Sequence, residues 1–251
     1  MTSPLLLTGP LGSGKTTHVL ACLREALKAG RAGVRLLVPT ATMAEHLRHR
    51  LAREGYAFQP GLISTLSRFI ERWVPDLPEA GGPDLYLLTE KAIKALDRPE
   101  FAQVAHMPGF AASLAGLIEE FSSTGCSARR LRQVLATASL ESALRSAFLT
   151  IYEEVSRQLE ARGWATRADR LMHAAARIRQ SGVGEVETVW MDGFLNLSDP
   201  ELSVVEALSI HTELTVTAPE GSEPVTRLRR MGFAEQSFER RRPSPEKDTG
   251  R

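Results

Sequence analysis

The sequence predicts an α/β fold, a parallel sheet interrupted by an inserted all-helical subdomain. Three observations carry that expectation. Short apolar runs alternate with helix-period segments over the first stretch of chain, the pattern of βαβ units. Roughly a hundred residues of helical periodicity then follow with no convincing strand. After them two more apolar runs, separated by a helix, complete the alternation.

Taken in order, Leu5-Leu6-Leu7-Thr8 is a short apolar run and predicts the first strand. Val19, Leu20, Leu23, Ala26 and Leu27, spaced by three and four, define one face of the helix after it. Gly30 and Gly33 bracket its end, and Val34-Arg35-Leu36-Leu37-Val38, stopped by Pro39, predicts the second strand. A helix over Met43 to Arg53 turns Met43, Leu47 and Leu51 inward, and Leu62-Ile63-Ser64 suggests a third strand before a helix through Phe69 and Trp73. Pro75, Asp76, Pro78, Gly81, Gly82 and Pro83 then break the pattern.

Four helical stripes fill the insertion: Leu114, Leu117, Ile118 and Phe121; Leu131, Val134 and Leu135; Leu144, Phe148, Ile151, Val155 and Leu159; and Leu171, Met172, Ala175 and Ile178. Gly182 and Gly184 end it. Val186 to Met191 restores a strand, Pro200 opens a helix through Leu208, and Leu214-Thr215-Val216-Thr217 is the last strand. Beyond about Glu220 the pattern dissolves into Arg, Glu, Ser and Pro. Trp73, Trp164 and Trp190 each fall in or beside an apolar pattern and are expected in the core.

The composition excludes several classes. At 251 residues, 43% hydrophobic and 24% charged, the chain has the make-up of a folded globular protein of one to two domains. Its two cysteines, Cys22 and Cys126, are too few for a disulfide framework, so a reducing, cytoplasmic setting is expected. No apolar stretch approaches membrane-spanning length, and no membrane partner is expected. The net charge of +1 hides an asymmetry: from Arg227 onward eight basic and four acidic residues give +4, against 23 basic and 26 acidic, or −3, before it.

The strongest chemical signal is Gly9-Pro10-Leu11-Gly12-Ser13-Gly14-Lys15-Thr16, a complete G-x-x-x-x-G-K-[ST], directly after a strand and before a helix. In such a phosphate-binding loop the glycines Gly9, Gly12 and Gly14 let backbone N–H groups turn toward a phosphate, with Ser13 and Thr17 in the same stretch. Lys15 supplies a point charge to the outer phosphates, and the Thr16 hydroxyl ligates the magnesium that bridges them. ATP and Mg2+ are the expected cofactors. Asp192 closes the strand Val189-Trp190-Met191, where a Walker B-like carboxylate on the magnesium side belongs, although an Asp-Gly turn is also common. Many active ATPases follow that aspartate with a glutamate that orients the attacking water, and here Gly193 follows, so no catalytic residue is assigned.

The resulting organisation is a P-loop NTPase sheet in which residues 1–74 form the first part of the α/β core. Residues 75–184 form the helical insertion, 185–220 the second part of the core, and 221–251 a basic, poorly ordered tail. Arg227, Arg229, Arg230 and Arg240-Arg241-Arg242 in that tail suit either nucleic-acid phosphates or an exposed connector. Histidines 46 and 49, beside Arg48 and Arg50, read as a solvated basic helix face rather than a metal site. Ser67 and Cys126 lack a neighbouring base, and Glu119 and Glu120 fit a solvated helix face.

The order of four segments resembles the B subunit of the bacterial AddAB helicase–nuclease: the P-loop, Leu36-Leu37-Val38-Pro39-Thr40, Ser64-Thr65-Leu66-Ser67-Arg68-Phe69, and Met191-Asp192-Gly193-Phe194 after a helical insertion. The resemblance covers most of residues 4–220. It implies a superfamily 1 (UvrD-like) helicase fold with degenerate helicase motifs, and a place in DNA double-strand-break repair and recombination. It also implies DNA ends, single- or double-stranded, and an AddA-like subunit as partners. By the same resemblance Thr40 and Thr65 lie toward a single-stranded DNA path, while capping of the following helices by Thr40 or Thr42 and by Thr65 is the favoured reading. Family members are several times longer, with a second motor domain and an iron–sulfur nuclease domain for which this chain has neither room nor cysteines. The expected activity is therefore ATP binding with weak or absent motor function. A stand-alone P-loop kinase or NTPase acting on a small substrate, and a truncated non-catalytic interaction module, remain the alternatives.

Overall fold

The computed structural model describes residues 3–107, 109–137 and 142–239. The chain divides into two compact units, one of Met1–Phe69, Arg177–Leu197 and Val205–Arg251, the other of Ile70–Ala176 and Ser198–Val204.

The first unit is built on a six-stranded sheet, parallel throughout as the alternating pattern predicts, with one strand more than that pattern marks. In chain order its elements begin with β1 (Leu5–Gly9), α1 (Lys15–Lys28), β2 (Val34–Val38), α2 (Ala41–Arg53), β3 (Ile63–Thr65) and α3 (Leu66–Ile70). After the helices of the second unit come β4 (Thr188–Met191), β5 (Glu213–Pro219), a further helix at Glu223–Arg230 and β6 (Ala234–Ser237). The strand order is β3-β2-β4-β5-β1-β6. Val34, Leu36 and Val38 alternate onto the face covered by Val19, Leu20 and Leu23 of α1 and Leu47 and Leu51 of α2, all buried in one cluster with Trp190. Leu37 and Met191, of opposite parity, are buried as well, because strands covered on both faces read as continuous apolar runs.

The second unit contributes α4 (Gly82–Leu96), α5 (Phe110–Ser123), α6 (Ala128–Thr137), α7 (Ala143–Ala161) and α8 (Arg167–Ser181), whose last residues return to the first unit. The helix α9 (Asp199–His211) follows β4, and the Glu223–Arg230 helix is α10. Ile118, Ile151, Val155 and Leu159 are buried in the helical core with Leu85, Leu88 and Phe101, and Trp164 packs against it half-buried. The stripes are narrower than their apolar content suggests: Leu117, Val134, Leu144 and Met172 are exposed. A residue at the edge of a helical stripe has the same spacing as one at its centre, so periodicity alone does not separate them.

One expectation is corrected outright. Residues 223–237 are not a poorly ordered tail but α10 and the edge strand β6, which pairs in parallel with β1. All four β6 residues are exposed, so the strand carries no apolar signal; it is held by backbone bonds, with Ala234 N donating to Pro4 O at 2.8 Å and Phe238 N to Thr8 O at 2.7 Å. Arg240, Arg241 and Arg242 lie outside the described residues. Among the described residues no helix is long and apolar enough to cross a membrane.

Candidate functional site

The loop between β1 and α1 wraps tightly because its glycines adopt backbone angles closed to other residues. Gly9 has φ +146°, and a Cβ there would overlap the Phe238 carbonyl oxygen and approach the Ser13 Oγ at 2.9 Å. Gly14 is the N-cap of α1 and offers no side-chain cap, so the first-turn N–H groups of that helix are not consumed by a capping oxygen. Ser13 is buried, whereas Thr16 and Thr17 are exposed on the opening of the loop.

Lys15 folds back over this loop. Its Nζ donates to Gly9 O at 2.7 Å, Pro10 O at 3.0 Å and Ser13 Oγ at 3.2 Å, which uses all three ammonium donors. Burial pushes the lysine below its ordinary 10.5, and the negative charge of Asp192 opposes that shift. The two charges therefore feel each other although 177 positions separate them in the chain.

Asp192 follows β4 and is only 2% exposed. Its N–H donates to Leu37 O at 3.0 Å, and its Oδ1 accepts from the Thr217 hydroxyl at 2.6 Å. β4 and β1 are not neighbours; β5 runs between them, and Thr217 stands near its carboxyl end, two residues before Pro219. Gly193 has φ +85°, where a Cβ would come within 3.2 Å of Met43 Cε.

Gly12, Ser13, Gly14, Lys15, Thr16, Thr17 and Asp192 thus line one cavity of about 230 Å³ at the carboxyl ends of the strands, with Gly9 at its foot holding the lysine. The donor set fits a phosphate with a hard divalent cation. Backbone amides and an ammonium serve the anion, and one hydroxyl and one carboxylate offer oxygen ligands of the type magnesium takes. Thr217, Leu11, Phe194, Leu195, Ala218 and Pro219 share the lining, and none of them has a binding role predicted from sequence. For Thr217 a signal existed: a hydroxyl ending an apolar parallel strand sits where such sheets bind ligands.

Thr40 and Thr65 are not part of this cavity. Thr40 is the N-cap of α2, accepting from Met43 N at 3.2 Å, and Thr65 Oγ1 accepts from Arg68 N at 3.3 Å. Both therefore cap helices, and each hydroxyl keeps its proton for a further acceptor. Histidines 46 and 49 share a surface recess with Arg50, Arg53 and Glu54, and no group of three metal-ligating side chains occurs among the described residues.

Comparison with known proteins adds an independent line. Residues 86–226 match the family model described as ADDB, N-terminal. The chain is 25% identical over 231 residues to the B subunit of the ATP-dependent helicase/deoxyribonuclease of Listeria innocua, covering 86% of this chain and 20% of that protein. It is 29% identical to the proteins of the same description from Moorella thermoacetica, over 92% of this chain and 21% of the relative, and from Symbiobacterium thermophilum, over 80% and 19%. The chain spans about a fifth of the length of the curated relatives it matches.

Proposed function

The chain belongs to the family described as ADDB, N-terminal, and from that premise we propose that it is an ATP- and magnesium-binding, helicase-like domain serving DNA double-strand-break repair, weak or inactive as a motor. The observation that carries this reading is the convergence of Lys15, Thr16 and Asp192 on one cavity at the carboxyl ends of the sheet. Gly14, Lys15 and Thr16 would hold the β and γ phosphates, with the α1 amides and Gly12, Ser13 and Thr17 around them. Thr16 and Asp192 would hold the magnesium. When bound, the magnesium would neutralise charge on the phosphate oxygens. The chain's own residues bind and orient; no carboxylate follows Asp192 to position a water.

In this reading the domain works in the cytoplasm beside an AddA-like subunit on single- or double-stranded DNA ends. Thr40 and Thr65 lie at the ends of β2 and β3, where their remaining hydroxyl protons suit backbone phosphates. The role is nucleotide-dependent binding and scaffolding rather than fast hydrolysis.

Titration of the 251-residue chain with a fluorescent ATP analogue tests the site. Micromolar-range binding that falls by about 1.5–3 kcal/mol in Lys15→Ala is expected, the worth of one charge-assisted contact. Equal binding by wild type and Lys15→Ala overturns the phosphate site. Hydrolysis strongly stimulated by single-stranded DNA overturns the weak-motor role.

A further inference from the structure

We propose that Thr217 is a positioning residue for the metal-side carboxylate: its hydroxyl fixes which oxygen of Asp192 is left for the cavity, and so sets how strongly the nucleotide-bound site takes a divalent cation. The inference rests on the nucleotide-site reading above and names a residue that neither the sequence motifs nor the family resemblance includes.

The geometry leaves little freedom at this point. Thr217 and Asp192 are 3% and 2% exposed, on strand ends that lie side by side, with Met191 opposite Val216 in the register. An ionised carboxylate only accepts, so the Thr217 proton goes to Asp192 Oδ1, at 2.6 Å a charge-assisted length. The same hydroxyl oxygen accepts the Gly193 N–H at 3.2 Å. One side chain therefore holds two consecutive residues of the β4 exit, the carboxylate by its oxygen and the following peptide by its N–H. Oδ2 is the oxygen Thr217 does not engage.

Filling the space here does not call for a hydroxyl. Val216 and Ala218 on either side are buried and apolar, and a hydroxyl taken out of water costs free energy unless it is bonded. Valine has nearly the same shape. What valine lacks is the proton for Asp192 and the acceptor for Gly193. Groups that orient a metal ligand typically change metal affinity by about 10–100-fold when removed, without touching the metal.

The test compares Thr217→Val and Thr217→Ser with wild type in the 251-residue chain. A fluorescent ATP analogue is titrated in excess EDTA and then across a magnesium series. In Thr217→Val the magnesium affinity of the nucleotide-bound chain is expected to fall about 10-fold or more, while nucleotide affinity in EDTA stays within about 2-fold and Thr217→Ser stays within about 3-fold of wild type in both. In an Asp192→Asn background, Thr217→Val is expected to add no further loss of magnesium response. Thermal melting monitored by circular dichroism checks each variant, and Thr217→Ala replaces Thr217→Val if the latter does not fold.

An unchanged magnesium response in Thr217→Val, equal losses with and without magnesium, or a Thr217→Ser as impaired as Thr217→Val each overturn the assignment. Wild-type chain that binds nucleotide with no gain from magnesium overturns this inference and leaves the phosphate loop standing. Wild-type chain that binds no nucleotide under either condition removes both.

Discussion

Met43 lies against Gly193. A Cβ at position 193 would stand 3.2 Å from the Met43 Cε, 3.4 Å from its Sδ and 3.6 Å from the Pro39 Cδ, on a backbone with φ +85°. The glycine after Asp192 is thus matched to its surroundings twice, by a dihedral that side chains resist and by an α2 residue occupying the space. Introducing the glutamate found there in active ATPases is expected to strain the turn rather than create a base. Gly193→Glu should lose about 1–3 kcal/mol of stability in urea unfolding and show no gain in phosphate release from ATP. A clear rise in phosphate release with unchanged stability would contradict this.

Lys15 supplies a pH dependence with a definite sign. Burial lowers its pKa from 10.5, so in the free protein the ammonium begins to lose its proton below that value. In the proposed phosphate site it is the charged form that would meet the anion. Affinity measured in EDTA should be full below the lowered pKa and should decline, as pH rises through it, before pH 10.5 is reached. Lys15→Arg, which stays charged throughout, should show no such decline over the same window. A wild-type affinity flat to pH 10.5 would show that the lysine does not contact the anion.

Glu235 ties the edge strand to the loop-bearing strand. Its carboxylate accepts from Arg229 Nε at 2.6 Å and Nη2 at 2.9 Å and from the buried Thr8 hydroxyl at 2.7 Å, and these partners hold its carboxyl below the ordinary 4.5. The folded pKa is depressed, so the tie is fully present above 4.5 and is lost as pH falls through the lowered value. Hydrogen-exchange protection of the Ala234 and Phe238 amides should persist from neutral pH down to about 4.5 and fall below it. Glu235→Ala should reduce that protection at neutral pH. Equal protection in the variant would mean that backbone pairing alone secures β6.

The helical core allows a paired control. Ile118 is 0% exposed and Leu144 59% exposed, although both lie on apolar helical stripes. Ile118→Ala should cost about 2–5 kcal/mol in equilibrium urea unfolding, and Leu144→Ala less than about 0.5 kcal/mol. Comparable losses at the two positions would place Leu144 in a core of its own.

The strands β1, β2, β4 and β5 and the phosphate loop follow from local pattern. Buried parallel strands must be continuously apolar, and G-x-x-x-x-G-K-T between a strand and a helix is a contiguous device whose chemistry lies in adjacent residues. The candidate magnesium ligands, Thr16 and Asp192, were also legible, each from its place at the end of a strand or the start of a helix. Strand order, by contrast, is a property of the assembled sheet. Only the folded chain sets β5 between β1 and β4 and thereby gives Asp192 its partner. In Leu214-Thr215-Val216-Thr217 the two threonines look alike as sequence, yet Thr215 is half-buried and Thr217 is buried on the carboxylate. The same holds for Met43, which periodicity turns inward without saying that it meets Gly193. It holds too for β6, whose exposed residues carry no hydrophobic period because backbone bonds to β1 and the Glu235 tie hold it. Local sequence determined most of the segments and marked the residues of the candidate phosphate site. Contacts between residues far apart in the chain, set when the strands pair, decided which side chains meet around it.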